Sequence, residues 1–285
     1  MSERVLISIS DGVADVRFNR ADKRNALDNA MFRAIAEAGE DLKSESGVRA
    51  VVLSGDGPSF CAGLDFSSFQ AMASGDMNAQ PEPAEGDPAA TSDAPAGDDG
   101  PGAMAAGRIT HLGQQVCGVW QELPVPVIAA VHGHALGGGL QIALGADIRI
   151  VHPDTKMSVR EVYWGLVPDM TGTFVLSKLV RPDIAKELTF TARIFSGTEA
   201  AELGLATKLS DTPYDDALAL AHEIASFSPG AVRGSKQLFN RILDEGAAEQ
   251  FAAERATIGA QIGTPNQIEA VMSGMAKRPP VYTDV

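Results

Sequence analysis

Three consecutive glycines, Gly137, Gly138 and Gly139, stand in the run HGHALGGGLQIALGAD (132–147), where an apolar strand pattern gives way to a helical one. Backbone N–H groups at a helix start have no partner inside the helix, and the helix dipole favours negative charge in front of them. Glycine lets a ligand atom reach those groups; close packing of helix on strand is its other use. The nucleotide-binding patterns are missing: the run holds no G-x-G-x-x-G, and the chain has no G-x-x-x-x-G-K-[ST]. A second glycine-bearing stretch, SGDGPSFCAGLD (54–65), also follows a strand pattern. Further on, REVYWGLVPDMTGT (160–173) carries Glu161 and Asp169. Positioned carboxylates can move protons. Each also has a plainer alternative, Glu161 as a surface acid at a strand end and Asp169 as a helix N-cap. Gln141 cannot take up a proton at neutral pH; it reads as a residue that hydrogen-bonds neighbouring groups or an ordered water, and is counted with the substrate-binding residues. Cys61 has no His/Asp partner set, so it reads as a buried thiol rather than a nucleophile, and His132 and His134 read as structural.

These residues need a scaffold, and the flanking patterns supply one. RVLISISDGVADVRFN reads as two strands about an SDG turn, and NAMFRAIAEAGEDLKSE has helical apolar spacing with Asp28 as N-cap. VRAVVLSGDG and VPVIAAVHG are short continuous apolar runs of the kind that buried parallel strands show, and ADIRIVHP repeats the form more weakly. Strand–helix–strand alternation predicts an α/β fold with a parallel sheet, whose strand ends are the usual place for a ligand. From Pro182 onward the segments are mostly helical. The sequence therefore divides into a core over 1–195 and a helical region over 196–285.

Composition sets outer bounds. A chain of 285 residues with 45% hydrophobic and 21% charged residues can bury a large core. No apolar run reaches the ~18 residues that crossing a bilayer requires, and MSERVLISISDG is not a signal-peptide pattern; the expectation is a cytoplasmic protein without membrane contact. Two cysteines are too few for a disulfide framework and lack zinc spacing, so neither a bridge nor a metal is expected. The net charge of −14 argues against nucleic-acid binding. Seven of the acids fall within 72–107, an Ala/Pro/Gly/Asp-rich stretch without Lys or Arg that reads as an acidic, mobile insertion. The remainder leaves room for a local basic pocket.

Taken together and in order, NRADKRNALD, SFCAGLD, PVPVIAAVHGHALGGGLQIALGADIRI and REVYWGLVPDMTGT resemble the crotonase superfamily, the enoyl-CoA hydratase/isomerase family. The resemblance implies a spiral of ββα units with C-terminal helices for a homotrimer or dimer of trimers, and an acyl-CoA substrate with no separate cofactor. It implies an oxyanion hole for the thioester carbonyl, made by the backbone N–H groups of Leu64 and Gly138, with Ala62 and Asp65 beside it and Lys23 and Arg24 near the CoA moiety. It implies Glu161 as a proton carrier. Hydratases of the family have a second glutamate where this chain has Gln141. A Glu and an Asp spaced like Glu161 and Asp169 resemble the dienoyl-CoA isomerase branch, which has an aspartate at the position of Gln141. The implied activity is a double-bond shift in an unsaturated acyl-CoA; hydration and noncatalytic acyl-CoA binding are the alternatives.

Overall fold

The computed structural model describes residues 3–68, 108–243 and 247–281; the acidic stretch 72–107 lies outside them. Its strands are β1 (Val5–Ser10), β2 (Val13–Phe18), β3 (Ala50–Gly55), β4 (Val127–Val131), β5 (His134–Leu136), β6 (Ile148–Val151), β7 (Lys156–Ser158), β8 (Phe195–Ser196) and β9 (Lys208–Leu209). Six of them form one sheet in the order β1-β2-β3-β4-β6-β9, and β5-β7-β8 form a smaller one. The hairpin β1/β2 is antiparallel and every later pair of the large sheet is parallel. Helices α1 (Asn29–Ser44), α2 (Leu112–Glu122), α3 (Gly138–Gly145), α4 (Gly172–Leu179), α5 (Pro182–Thr191), α6 (Gly197–Leu203) and α7 (Pro213–Ala225) follow or separate the strands. The chain ends in α8 (Pro229–Leu243), α9 (Ala247–Gly259) and α10 (Pro265–Ala276).

Local sequence explains these elements. In β3 and β4 every residue from Ala50 to Ser54 and from Val127 to Val131 is buried, as parallel strands covered on both faces require. Asp28 caps α1 by accepting the Met31 N–H at 2.7 Å, a contact worth ~1 kcal/mol. Helix α1 then buries Met31, Phe32, Ile35, Leu42 and the small residues between, one face at helical spacing. One face of the large sheet joins the main core with α1, α2 and α3, and the other is closed by the alanines 217, 221 and 225 of α7.

The chain does not pass directly from β4 into a helix, as the sequence pattern suggested. It first crosses to the small sheet as β5 and then enters α3; β6 crosses likewise into β7. Each such turn lays one strand in each sheet before a helix returns the chain. The loop after β3 is stitched across this gap by bridges between Leu27 and Leu64 and between Cys61 and Ala135. Both glycine-bearing segments are thereby brought to one side of the molecule.

Candidate active site

A cavity of about 710 Å³ opens where these segments meet. Leu64, Gly137, Gly138, Glu161, Asp169 and Met170 lie in its wall, with Lys23, Arg24, His134 and Lys156 also lining it. Ala62 and Asp65 line it as well, so eight of the nine residues singled out from sequence share this cavity. The ninth, Gln141, expected to bind substrate, does not line the cavity: it is 1% exposed behind the wall, and both ends of its amide are bonded within the protein. A second cavity of about 560 Å³ lies between α8 and the core. Its one lining carboxylate, Asp147, is taken by Lys236 Nζ at 2.7 Å and by the Val127 N–H at 2.7 Å.

The glycine run does three different things. Gly137 precedes α3 at φ 51°, ψ −119°, a conformation that side-chain-bearing residues rarely adopt. Gly138 is the first helical residue, so its N–H has no intrahelical acceptor. A Cβ on Gly139 would stand 2.2 Å from the Cys61 carbonyl oxygen. Close packing on backbone therefore accounts for the third glycine and the backbone conformation for the first, whereas a Cβ on Gly138 would meet only the side-chain ends of Met170 and Leu27. All eight residues of α3 are buried, which makes it an apolar strut between the sheets.

Glu161 opens a 3-10 turn (Glu161–Trp164) just after β7. Its Oε1 accepts the Gln141 Nε2–H at 2.6 Å, whereas its Oε2 is buried without a hydrogen-bond partner. Gln141 uses its other end to accept the N–H groups of Met170 at 3.1 Å and Gly172 at 2.8 Å. One amide thus ties α3, the Glu161 turn and the 169–172 loop together, with its carbonyl facing the loop rather than the cavity. Burial raises the Glu161 carboxyl to about 7, against the pull of its hydrogen bonds.

Asp169 is not a helix cap, contrary to its reading as one: the N-cap of α4 is Thr171, in the left-handed region and without a side-chain cap bond. The Asp169 side chain is 21% exposed on the cavity side. Burial first, and then repulsion from Glu161 and Glu254, raise its carboxyl to about 8. The unfolded chain ionises such a group near pH 4. Between that pH and the folded value the native state holds an extra proton, so this contribution to stability falls as pH rises. Asp169→Asn removes it: the melting temperature of the variant relative to the parent should rise between pH 5.5 and pH 8.5. A gap that stays constant over this range would contradict the assignment.

Sequence reasoning missed Glu254 of α9 and His111, both of which converge on the 169–173 loop. Glu254 is 4% exposed, accepts the Thr171 N–H at 3.1 Å and the Gln114 Nε2–H at 3.2 Å, and also takes the Thr173 hydroxyl. Burial raises its carboxyl as well, opposed by these bonds. No sequence signal marked Glu254, because its partners are 81 to 140 residues away. His111 could have been noticed from His-x-x-Gln ahead of an apolar run.

The remaining assignments separate into lining and structural roles. The Asp65 carboxylate is occupied by Arg20 at 2.6 Å and by the N–H and hydroxyl of Ser67 at 3.0 and 2.8 Å. It fixes the loop and offers little to a ligand. Arg24 reaches to 3.5 Å from His134 Nε2, and His132 bonds the Gly57 carbonyl at 2.9 Å. Burial pushes the Cys61 thiol up to about 12, so it stays protonated and unreactive. No described helix is long and apolar enough to cross a membrane.

Residues 13–281 match the family model described as enoyl-CoA hydratase/isomerase. The chain is 30% identical over 278 residues to mouse (Mus musculus) mitochondrial methylglutaconyl-CoA hydratase, covering 95% of this chain and 79% of that protein. It is 33% identical over 273 residues to the mitochondrial Δ(3,5)-Δ(2,4)-dienoyl-CoA isomerase of the same species, covering 93% and 77%. Among solved structures, an enoyl-CoA hydratase/isomerase from Mycobacterium paratuberculosis superposes with a TM-score of 0.80 at 22% identity, over 96% of this chain and 99% of that one. That likeness establishes the crotonase-type α/β fold.

Proposed function

Because the chain belongs to the enoyl-CoA hydratase/isomerase family, we propose that it shifts double bonds in an unsaturated acyl-CoA, converting a 3,5-dienoyl-CoA into the conjugated 2,4-dienoyl-CoA. The observation that carries this reading is the pair of carboxyls on one cavity wall: Glu161 with a buried, unpartnered Oε2, and Asp169 raised further than Glu161. Burial and mutual repulsion raise both carboxyls, so that the pair keeps a proton near neutral pH that it shares between its two members. Glu161 takes a proton from C2, the electrons move through the diene as a dienolate, and Asp169 returns a proton at C6. A proton passing from Glu161 to Asp169 through solvent restores the pair. One proton leaves and one returns with no net change of oxidation state, so the reaction calls for no redox group; the thioester carbonyl only holds the dienolate charge.

The negative charge that develops on the thioester oxygen needs donors. The N–H groups of Leu64 and Gly138 supply them, the second reinforced by the N-terminus of α3, and each such donor is typically worth ~3 kcal/mol to the transition state. Lys23 and Arg24 attract the CoA phosphates, and Ala62 shapes the wall beside Leu64. Hydration requires a second group to hold water, and Gln141 is already committed at both ends to Glu161 and the 170–172 backbone. Assembly as a trimer or dimer of trimers through the helical C-terminal region fits the exposure of Leu238 and Phe239, at 68% and 72%.

Offered a 3,5-dienoyl-CoA, the protein should produce a new, longer-wavelength absorbance band as the diene comes into conjugation with the thioester carbonyl, and offered a 2-enoyl-CoA it should change little. Loss of the enoyl band with no diene formed identifies a hydratase, and no change with either, despite binding, a noncatalytic acyl-CoA carrier.

A further inference from the structure

His111 is the N-cap of α2, and it is an unusual cap. Its Nδ1 accepts the Gln114 N–H at 3.1 Å while the Gln114 Oε1 accepts the His111 N–H at 3.3 Å, closing a capping box. Ser, Thr, Asp or Asn would serve the helix end as well. What these lack is a second ring nitrogen. With Nδ1 accepting, the ring is neutral and its one proton lies on Nε2. That nitrogen is 3.7 Å from Asp169 Oδ2, and the side chain is 3% exposed. The cap is itself anchored: Gln114 donates to the Phe251 carbonyl at 3.0 Å and to Glu254, and Arg255 Nη1 donates to Gln114 Oε1 at 2.9 Å.

We propose that His111 is a positioning residue for Asp169, presenting its Nε2–H to the carboxylate that Asp169 becomes each time it gives up a proton. The inference rests on the proton-carrying role of Asp169 argued above. At 3.7 Å the two atoms are short of a hydrogen bond, and contacts of this kind tighten when substrate fills a site. The ionised groups facing Asp169 otherwise oppose its ionisation: Glu161 from the 3-10 turn and Glu254 from α9 are both acidic. Cys117 of α2 is a buried thiol whose ionisation is suppressed, and Arg255 is directed at Gln114 and the Ile109 carbonyl. His111 is then the donor that makes a charged Asp169 tolerable between two other acids.

His111→Asn tests this, because asparagine retains the cap but its short amide does not reach Asp169. Melting temperatures of the parent, His111→Asn, Asp169→Asn and the double variant are to be measured from pH 6 to pH 9.5. The expected result is a penalty for His111→Asn that widens above about pH 8, corresponding to an upward displacement of the Asp169 titration by roughly one pH unit, and that is flat with pH in the Asp169→Asn background. A penalty flat with pH in both backgrounds makes His111 a cap alone and overturns the inference. If His111→Asn does not fold, ¹⁵N-histidine spectra of the parent and of Asp169→Asn decide the matter. A protonated Nε2 whose shift follows a titration near pH 8 in the parent only supports the inference; an Nδ1-protonated ring, or identical titrations, overturns it. Neither readout needs turnover, so absence of the diene product would overturn the substrate reading and leave this inference standing, and a flat cycle with diene formed would do the reverse.

Discussion

Glu161→Gln should reduce turnover by about three orders of magnitude while making the folded protein more stable above neutral pH. The loss follows from removing a positioned base, for which factors of ~10²–10⁴ are typical. Geometry survives the change, because a glutamine can turn its carbonyl to the Gln141 Nε2–H that now bonds Oε1 at 2.6 Å. The gain in stability has the opposite cause. The carboxyl of Glu161 is raised to about 7 by burial, so ionising it costs the native state free energy that the unfolded chain does not lose. That penalty grows from about pH 4 up to the folded value, and an amide does not incur it. Steady-state kinetics beside thermal melts at pH 6 and pH 8.5 check both halves. A kcat reduced less than tenfold would remove Glu161 from the chemistry, and a variant that melts lower at pH 8.5 would mean that Oε2 has a partner after all.

The second large effect is structural. Gly139→Ala should destabilise the protein by about 3 kcal/mol or more, at the upper end of what overpacking produces. The added Cβ would meet backbone: Cys61 O at 2.2 Å and Cys61 C at 2.9 Å. Cys61 cannot retreat, because its N–H and carbonyl are bonded to His134 and Leu136 of β5 at 2.9 and 3.2 Å. Its neighbour provides the contrast. A Cβ on Gly138 would meet the side-chain ends of Met170 and Leu27 at 2.8 and 2.9 Å, which can swing aside. Gly234 of α8 has nothing within 4 Å, so Gly234→Ala should gain up to ~1 kcal/mol from helix propensity. Urea unfolding of these three variants gives the order; equal midpoints for Gly139→Ala and Gly234→Ala would contradict the packing argument.

What the sequence made visible depended on pattern length. The five- and six-residue apolar strands and α1 with its Asp28 cap were readable because their periodicity and signals are local. The small sheet was not, since β5, β7 and β8 have three, three and two residues and no alternation to detect. The site followed the same division. Leu64, Gly138, Glu161 and Asp169, which line one cavity, were singled out through motifs within a few residues of themselves. Gln141 was recognised as a hydrogen-bonding residue, but its two-ended link between Glu161 and the 170–172 backbone exists only in three dimensions. Glu254 gave no warning, being an acid on a helix whose relevance depends on where α9 folds back. The Asp169 N-cap reading failed because Thr171 in a left-handed turn starts α4 two residues later.

The burial of all eight residues of α3 has a consequence for how such a site diversifies. Its first amide belongs to a segment that opens to solvent only when the protein as a whole comes apart. The carboxyls hang from a single 3-10 turn and a loop, outside the helix. On the proposed mechanism, charge stabilisation is thereby fixed in the architecture, while the identity and number of proton carriers is left to positions outside the helix. A chain built this way can acquire a new second half of its reaction without rebuilding the first.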